Sequence, residues 1–259
     1  MSGDEFDYSF RETQASFRSA SQSARVWTEN WVLREMYCPA CGDKPLTDFE
    51  NNTPVADFFC ALCNEEFELK SKKSKFGKKV TDGAYSTMME RLRSDSVPSL
   101  MLLQYNKAAF GVTDLFVVPK QFFVTDLIEK RKPLAASARR AGWVGCNILI
   151  DKIPKAGRIP LITNRIPHPK DIVVEKWQKT SFLRKQTLAR KGWVLDVLNC
   201  VENIGQAEFT LDDVYKFENY LGELHPENNN VKPKIRQQLQ VLRDAGLLVF
   251  TGRGRYRLV

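Results

Sequence analysis

Histidine is almost missing from this chain: His168 and His225 are the only two in 259 residues, and each lies beside a proline. That argues against a nucleophile activated by histidine. The phosphate-cradling pattern G-x-x-x-x-G-K-[ST] does not occur, which argues against a nucleotide-driven motor. No apolar run approaches the roughly 20 residues that span a bilayer. Residues 1–22 are acidic and then polar, without the apolar stretch of a secretory signal. These absences lead us to expect a soluble, cytoplasmic protein with no membrane partner, in a compartment where thiols stay reduced. No internal repeat is visible.

Positive charge, by contrast, is in excess: 39 Lys and Arg against 31 Asp and Glu give a net +8. An anionic partner is implied, with nucleic acid the first candidate. The length suits one medium domain followed by a small one. Four of the six cysteines are paired as Cys38-Pro-Ala-Cys41 and Cys60-Ala-Leu-Cys63, with 18 residues between the pairs. Two such knuckles can turn four thiolates inward as the tetrahedron that Zn²⁺ accepts, a better account than a redox pair in a reducing compartment. Cys146 and Cys200 have no near partners and are expected in the core.

Periodicity organises the rest. Val26, Trp27, Trp31 and Val32 share one face of a helix over residues 23–36, and DFFCALCNEEFELK contains strands. Residues 70–79 (KSKKSKFGKK) read as a basic loop with six lysines. Ala84, Met88 and Leu92 have helical spacing, whereas 100–105, 115–118, 148–150 and 159–162 read as buried strands. Residues 163–190 are polar and proline-interrupted, and we place a domain boundary near 183. Beyond it come a helix with Trp193, Val194, Val197, Leu198 and Val201 on its apolar face, then a second, LDDVYKFENYL, introduced by Thr210. A third carries Ile235, Leu239 and Leu242 and is stopped by Gly246. A Gly-Arg-Gly hairpin closes the chain, so residues 184–259 are expected to form a winged helix. Residues 231–259 hold seven cations (Lys232, Lys234, Arg236, Arg243, Arg253, Arg255, Arg257) against Asp244 alone. Gln237 and Gln240 on the third helix suit base edges, and the arginines suit guanine or phosphate.

The chemistry concentrates in residues 54–70. Phosphodiester hydrolysis needs a divalent ion to polarise a phosphoryl oxygen and lower the pKa of the attacking water. Magnesium takes hard oxygen ligands and keeps several waters, so one or two carboxylates suffice. Glu68 and Lys70 are one residue apart, and on a strand they point to the same face. Asp57 would supply a second carboxylate, and the Leu69 carbonyl a further ligand. The pattern V-A-Asp57…Glu68-Leu-Lys70 resembles the PD-(D/E)xK nuclease motif.

A longer resemblance follows. YCPACG, FENNTPVADFFCALCNEEFELKSKK, DGAYSTMMERL, KPLAASARRAGWVGCNI and KIRQQLQVLRDAGL together resemble the DpnI-like restriction endonucleases over nearly the whole chain. The resemblance implies a mixed α+β (α/β) PD-(D/E)xK nuclease core with an inserted four-cysteine zinc site, residues 1–183, followed by a winged helix. It implies a type II enzyme that cuts double-stranded GATC only when its adenine is N6-methylated, leaving blunt ends, with both domains reading the site. Asp57 and Glu68 carry over as Mg²⁺ (or Mn²⁺) ligands and Lys70 as the cation orienting water. Cys38, Cys41, Cys60 and Cys63 carry over as ligands of a structural zinc. Trp143 sits where the family places a tryptophan at the methyl groups, although beside Gly142 and Gly145 it also fits a core position. Arg139, Arg140, Lys232, Lys234, Arg236, Gln237, Gln240, Arg253 and Arg255 are the expected DNA contacts of a monomer. Two other readings fit part of the pattern. A zinc and winged-helix transcription factor explains charge and cysteines but not the carboxylates, and a nuclease for another substrate does not need Trp143.

Overall fold

The computed structural model describes residues 6–11, 19–49 and 56–259. Residues 50–55, with the Pro54 and Val55 that precede the Asp57 motif, lie outside them. The first helix, α1 (Ala20–Glu35), forms because Ala24, Thr28, Trp31 and Val32 recur at helical spacing and are buried together. Short strands β1 (Thr47–Asp48) and β2 (Phe58–Phe59) lead into β3 (Glu66–Lys72), then β4 (Lys79–Ala84) and helix α2 (Tyr85–Arg93). Strands β5 (Ser99–Asn106), β6 (Gly111–Val118), β7 (Ile128–Lys130), β8 (Gly145–Leu149), β9 (Ile159–Thr163) and β10 (Ile166–Pro167) follow, then helix α3 (Lys170–Lys179).

The main sheet has the order β1-β2-β3-β5-β6-β9-β10. Only β3 and β5 run parallel in it, in the register Glu68↔Leu100 and Lys70↔Leu102. A parallel pair needs a crossover, here supplied by β4 and α2. The pleat separates two cores. Phe67, Met101, Leu103, Leu115 and Val117 face α1, the cysteine knuckles and α3. Leu100, Leu102 and Val118 face the other way, onto α2 and a small antiparallel sheet of order β4-β8-β7. Because both faces of β5 are covered, Leu100–Leu103 read as an unbroken apolar run rather than an alternation.

The C-terminal body runs α4 (Leu188–Asn203), β11 (Glu208–Thr210), α5 (Leu211–Tyr215), α6 (Glu218–Leu224), α7 (Val231–Asp244), β12 (Leu248–Gly252) and β13 (Arg255–Leu258). β13 lies between β11 and β12. This order of helix, strand, helices and hairpin is the winged form of a helix-turn-helix. Thr210 and Asp213 cap α5 reciprocally. The body is not a loose appendage. Its Trp193, Val194, Leu198 and Leu239 belong to the same apolar cluster as Leu92, Phe122 and Ile153. Glu202 accepts from the Lys155 and Ala156 N–H groups at 2.7 and 3.3 Å, and Asn199 donates to the Lys152 carbonyl at 2.8 Å.

Several expectations need correction. The stretch 163–190, read as polar connection, contains α3, whose Val173 and Trp177 are four residues apart and fully buried. Of its four apolar residues, Ile172, Val173 and Val174 run consecutively and mask the helical period, yet the buried pair Val173 and Trp177 suffices to dock one turn on the sheet. Residues 70–79 are not one loop: Lys70 and Lys72 lie on β3 and Lys79 on β4, leaving only 73–78 between them. Ile150 leaves its strand for a 3-10 turn. LDDVYKFENYL is two helices that break at Lys216 and Phe217, and β11 adds a third strand to the C-terminal hairpin. Among the described residues no helix is long and apolar enough to cross a membrane.

Trp177 is the largest contribution of α3 to the core. Trp177→Ala is expected to cost about 3–5 kcal/mol, read as a lower denaturant midpoint. An unchanged midpoint would show that α3 is not part of the folded core.

Candidate active site and metal centre

Asp57 lies just before β2, where its N–H donates to the Phe67 carbonyl at 2.9 Å. Its carboxylate turns towards the middle of β3 and accepts from the Leu69 N–H at 2.7 Å. The other oxygen accepts from Arg25 of α1 at 3.0 Å. In a strand the N–H and C=O of one residue point to the same side, so the Leu69 carbonyl also faces Asp57. Glu68 and Lys70 flank Leu69 on the opposite face of the pleat, and Lys70 Nζ sits 2.5 Å from Glu68 Oε1. The sequence motif thus converges: Asp57, Glu68, Lys70 and the Leu69 backbone meet at the middle of one strand.

A residue that the sequence reading missed completes the cluster. Asp82 of β4, only 8% exposed, holds Lys70 Nζ at 2.9 Å from its other side. Nothing in Thr81-Asp82-Gly83 signals this; only the folding of β4 over β3 brings Asp82 there. Burial works against the charge on Lys70, but Glu68 and Asp82 together outweigh it and hold its pKa above the ordinary lysine value. Glu68 is pushed up, first by burial and then by the nearby carboxylates of Asp82 and Asp57, with Lys70 opposing. Glu29 of α1, also missed, is likewise raised by burial, with Arg25 opposing. Around this point stand four carboxylates (Glu29, Asp57, Glu68, Asp82) and two cations (Arg25, Lys70). The deficit of two positive charges, with hard oxygen donors, fits a divalent cation of the magnesium class held by Asp57 and Glu68.

The four paired cysteines meet as well. Every Sγ of Cys38, Cys41, Cys60 and Cys63 lies within 4.8 Å of the others, and two Sγ···Sγ separations are 3.6 Å. A tetrahedral Zn–S shell of 2.3 Å bonds would set these separations at about 3.8 Å, so the cluster fits zinc. Each knuckle ends on a left-handed residue directly after its second cysteine, Gly42 at φ 82° and Asn64 at φ 57°. Both knuckles close with the same bond, Gly42 N–H to the Cys38 carbonyl and Asn64 N–H to the Cys60 carbonyl. Burial pushes the Cys63 thiol up to about 11 and Cys38 higher still. A metal would therefore displace protons at Cys38 and Cys63, whereas at Cys60 burial is outweighed by the Cys63 and Leu62 N–H groups, which favour the thiolate, so folding and binding would be coupled. Cys146 and Cys200 are buried outside this cluster.

Trp143 belongs to neither core cluster. It is half-buried at the end of the exposed segment 131–144, where its carbonyl accepts from Leu134 and its N–H donates to Arg140 O. The Arg140 guanidinium lies 4.9 Å from the ring centroid. The indole lies against Gly145, where an added Cβ would stand 2.8 Å from two ring atoms. Gly145 pairs with Ala84, two residues from Asp82. The tryptophan therefore emerges from the same small sheet that grips Lys70. Arg139, in the same segment, is exposed.

On α7, Lys232, Arg236, Gln237 and Gln240 are exposed, whereas Ile235, Gln238, Leu239 and Leu242 are buried. Some of these side chains are already engaged. Lys232 pairs with Glu218 at 3.0 Å, Lys234 donates to Gln237 at 2.8 Å, and Arg236 donates to the Tyr215 hydroxyl. Arg253 and Arg255 are exposed at the hairpin tip.

A basic, exposed face on a winged helix defines a DNA-binding protein, and comparison with known families agrees: residues 189–258 match the Dam-replacing HTH domain. Residues 6–186 match the DpnI, Dam-replacing family, and the chain belongs to that family of methylation-requiring restriction endonucleases.

Two outcomes are expected from this geometry. Cys60→Ser should lose one equivalent of zinc and unfold the first body, whereas full zinc content with native melting would refute a structural metal. Asp82→Asn should lower kcat about 10–100-fold with KM and zinc content unchanged, because Lys70 would then be drawn onto Glu68 alone; unaltered kcat would leave Asp82 a purely structural partner.

Proposed function

We propose that this protein hydrolyses both strands of double-stranded DNA at GATC sites carrying N6-methyladenine, leaving blunt ends, as a type II restriction endonuclease of PD-(D/E)xK architecture. The observation that carries the reading is the convergence of Asp57, Glu68 and Lys70 on one strand of a family member. Residues 1–183 are the cutting unit and residues 184–259 a reading unit, and the enzyme acts as a cytoplasmic monomer within a restriction system.

Asp57 and Glu68, with the Leu69 carbonyl, would hold Mg²⁺ or Mn²⁺, which when bound polarises the phosphoryl oxygen and acidifies water. Lys70, kept charged between Glu68 and Asp82, orients the attacking water and offsets charge that builds on the phosphoryl group. Its ammonium is fixed before substrate arrives, so no reorganisation is needed during the reaction. Zinc stays outside the chemistry, since four thiolates leave no open coordination position.

Methyl reading falls to Trp143. A flat apolar ring gains about 0.8 kcal/mol for each buried methyl, and two methyls on a palindromic site double the gain. In the reading unit, Gln237 and Gln240 suit the donor and acceptor edges of adenine, Lys232, Lys234 and Arg236 suit guanine or phosphate, and Arg253 and Arg255 suit the backbone. Arg139 and Arg140 serve the same purpose beside Trp143.

The deciding measurement is digestion of one plasmid prepared with and without GATC adenine methylation, with Mg²⁺ present. Discrete GATC fragments from the methylated sample alone are expected. Asp57→Ala and Lys70→Ala should abolish cutting while DNA binding persists, and Trp143→Ala should narrow the methylated-to-unmethylated rate ratio. Cutting of both plasmids by the native enzyme would leave a nuclease without methyl reading; cutting of neither by zinc-loaded protein would remove the nuclease assignment.

A further inference from the structure

The active-site face of the main sheet does not end at Lys70. In the β3–β5 register, Lys70 stands beside Leu102 and Lys72 beside Gln104. Gln104 in turn pairs with Asp114, Leu102 with Phe116, and Phe116 with Pro160. Here the sheet floors a cavity of about 570 Å³, closed by the basic loop at Lys75–Lys78 and by Ile150, Asp151, Lys155 and Arg158. At about 3.3 Å per residue and 4.8 Å per strand, Gln104 is roughly 8 Å from Lys70, about one nucleotide away.

Three observations say what the cavity is built for. Its lining is apolar and aromatic: Phe76 of the loop stands edge-on to Phe116 of the sheet at 6.0 Å between centroids, with Leu102 and Ile150 also in the wall. Its cations are unspent. Among the described residues, Lys75, Lys78, Lys155 and Arg158 make no ion pair, and the Arg158 Nε is fully buried without any hydrogen-bond partner. A buried guanidinium N–H left unpaired is costly, and an anion would satisfy it. Among the described residues neither carboxylate of the lining pairs with it: Asp114 Oδ1 accepts from the Asn164 N–H at 3.0 Å, and Asp151 makes no ion pair. Finally, the Gln104 side-chain amide, which can pair bidentately with a nucleobase edge, also has no partner among the described residues.

From these we infer that the cavity is a nucleotide pocket: Arg158, aided by the lysines, takes a phosphate, and Phe76, Phe116 and Gln104 take the attached base. The ligand is a nucleoside monophosphate unit, either one nucleotide of bound DNA turned out of its stack or a free nucleotide. The volume lies within the range of small-ligand sites. The placement beside the candidate active site rests on the nuclease reading, but the pocket's chemistry does not.

The test uses full-length, zinc-loaded protein. Titration with dAMP, followed calorimetrically, should show saturable binding that Arg158→Gln weakens at least about tenfold, as expected for a lost charge-assisted hydrogen bond. If Arg158→Gln melts early, the exposed pair Lys75→Gln/Lys155→Gln carries the test, with a several-fold loss expected. A methylated GATC duplex with 2-aminopurine at successive positions then separates the sources. Fluorescence gained with native protein and not with the variant assigns the pocket to a DNA nucleotide; dAMP binding without that gain assigns it to a free nucleotide. Neither signal, or both unaffected by the substitutions, overturns the pocket. A native enzyme that cuts methylated DNA while showing neither signal removes the pocket alone. Failure to cut alongside clear dAMP binding removes the nuclease reading alone.

Discussion

Strand β3 is under a double obligation. Its odd-numbered residues, Phe67 and Leu69, must pack towards the knuckles and α1, while Glu68, Lys70 and Lys72 must face the other side. The two-residue period of a strand leaves no freedom here, because a slip of one residue would bury both charges in the apolar core and expose Phe67. The parallel pairing to β5 holds that register from one side and the antiparallel pairing to β2 from the other. Asp57 adds a side-chain lock on the Leu69 N–H. Both the cluster of Asp57, Glu68 and Lys70 and the knuckles depend on this register, since Cys60 and Cys63 lie between β2 and β3.

Electrostatics follows from that placement. Lys70 is largely withdrawn from water, so its charge is sustained chiefly by Glu68 and Asp82. The same crowding makes the carboxylates short of positive charge, and Glu68 responds by holding its proton more tightly. A divalent ion would resolve both sides of this imbalance. A metal at the four cysteines would solve a different problem: residues 38–49 and 56–65 contain only short stretches of regular structure, and it would supply the cross-link that strands otherwise give.

How much of this was legible in the sequence varied with the range of the interaction. The knuckles and the E-x-K spacing are local, and α1, β5, β9 and α7 carry their periods openly. α3 hid because its apolar residues Ile172, Val173 and Val174 are consecutive and only Val173 and Trp177 are buried, inside a charged segment. Asp82 hid because its partner lies 12 residues back and is reached only when β4 folds over β3. Arg158 and Gln104 are farther apart still, and neither sits in a recognisable pattern. For Trp143 the sequence allowed both a core and a surface position, and the glycine at 145 decides its seat by giving the indole room.

The apolar cluster shared between Phe122, Ile153 and the helices of the C-terminal body has a thermodynamic consequence. Two bodies with a common interior cannot melt independently without exposing that interior to water. DNA held by the C-terminal body therefore contributes its binding free energy to the unfolding equilibrium of the first body as well. Occupied by its substrate, the enzyme is stabilised as one cooperative unit, and the free protein is the form most exposed to proteolysis.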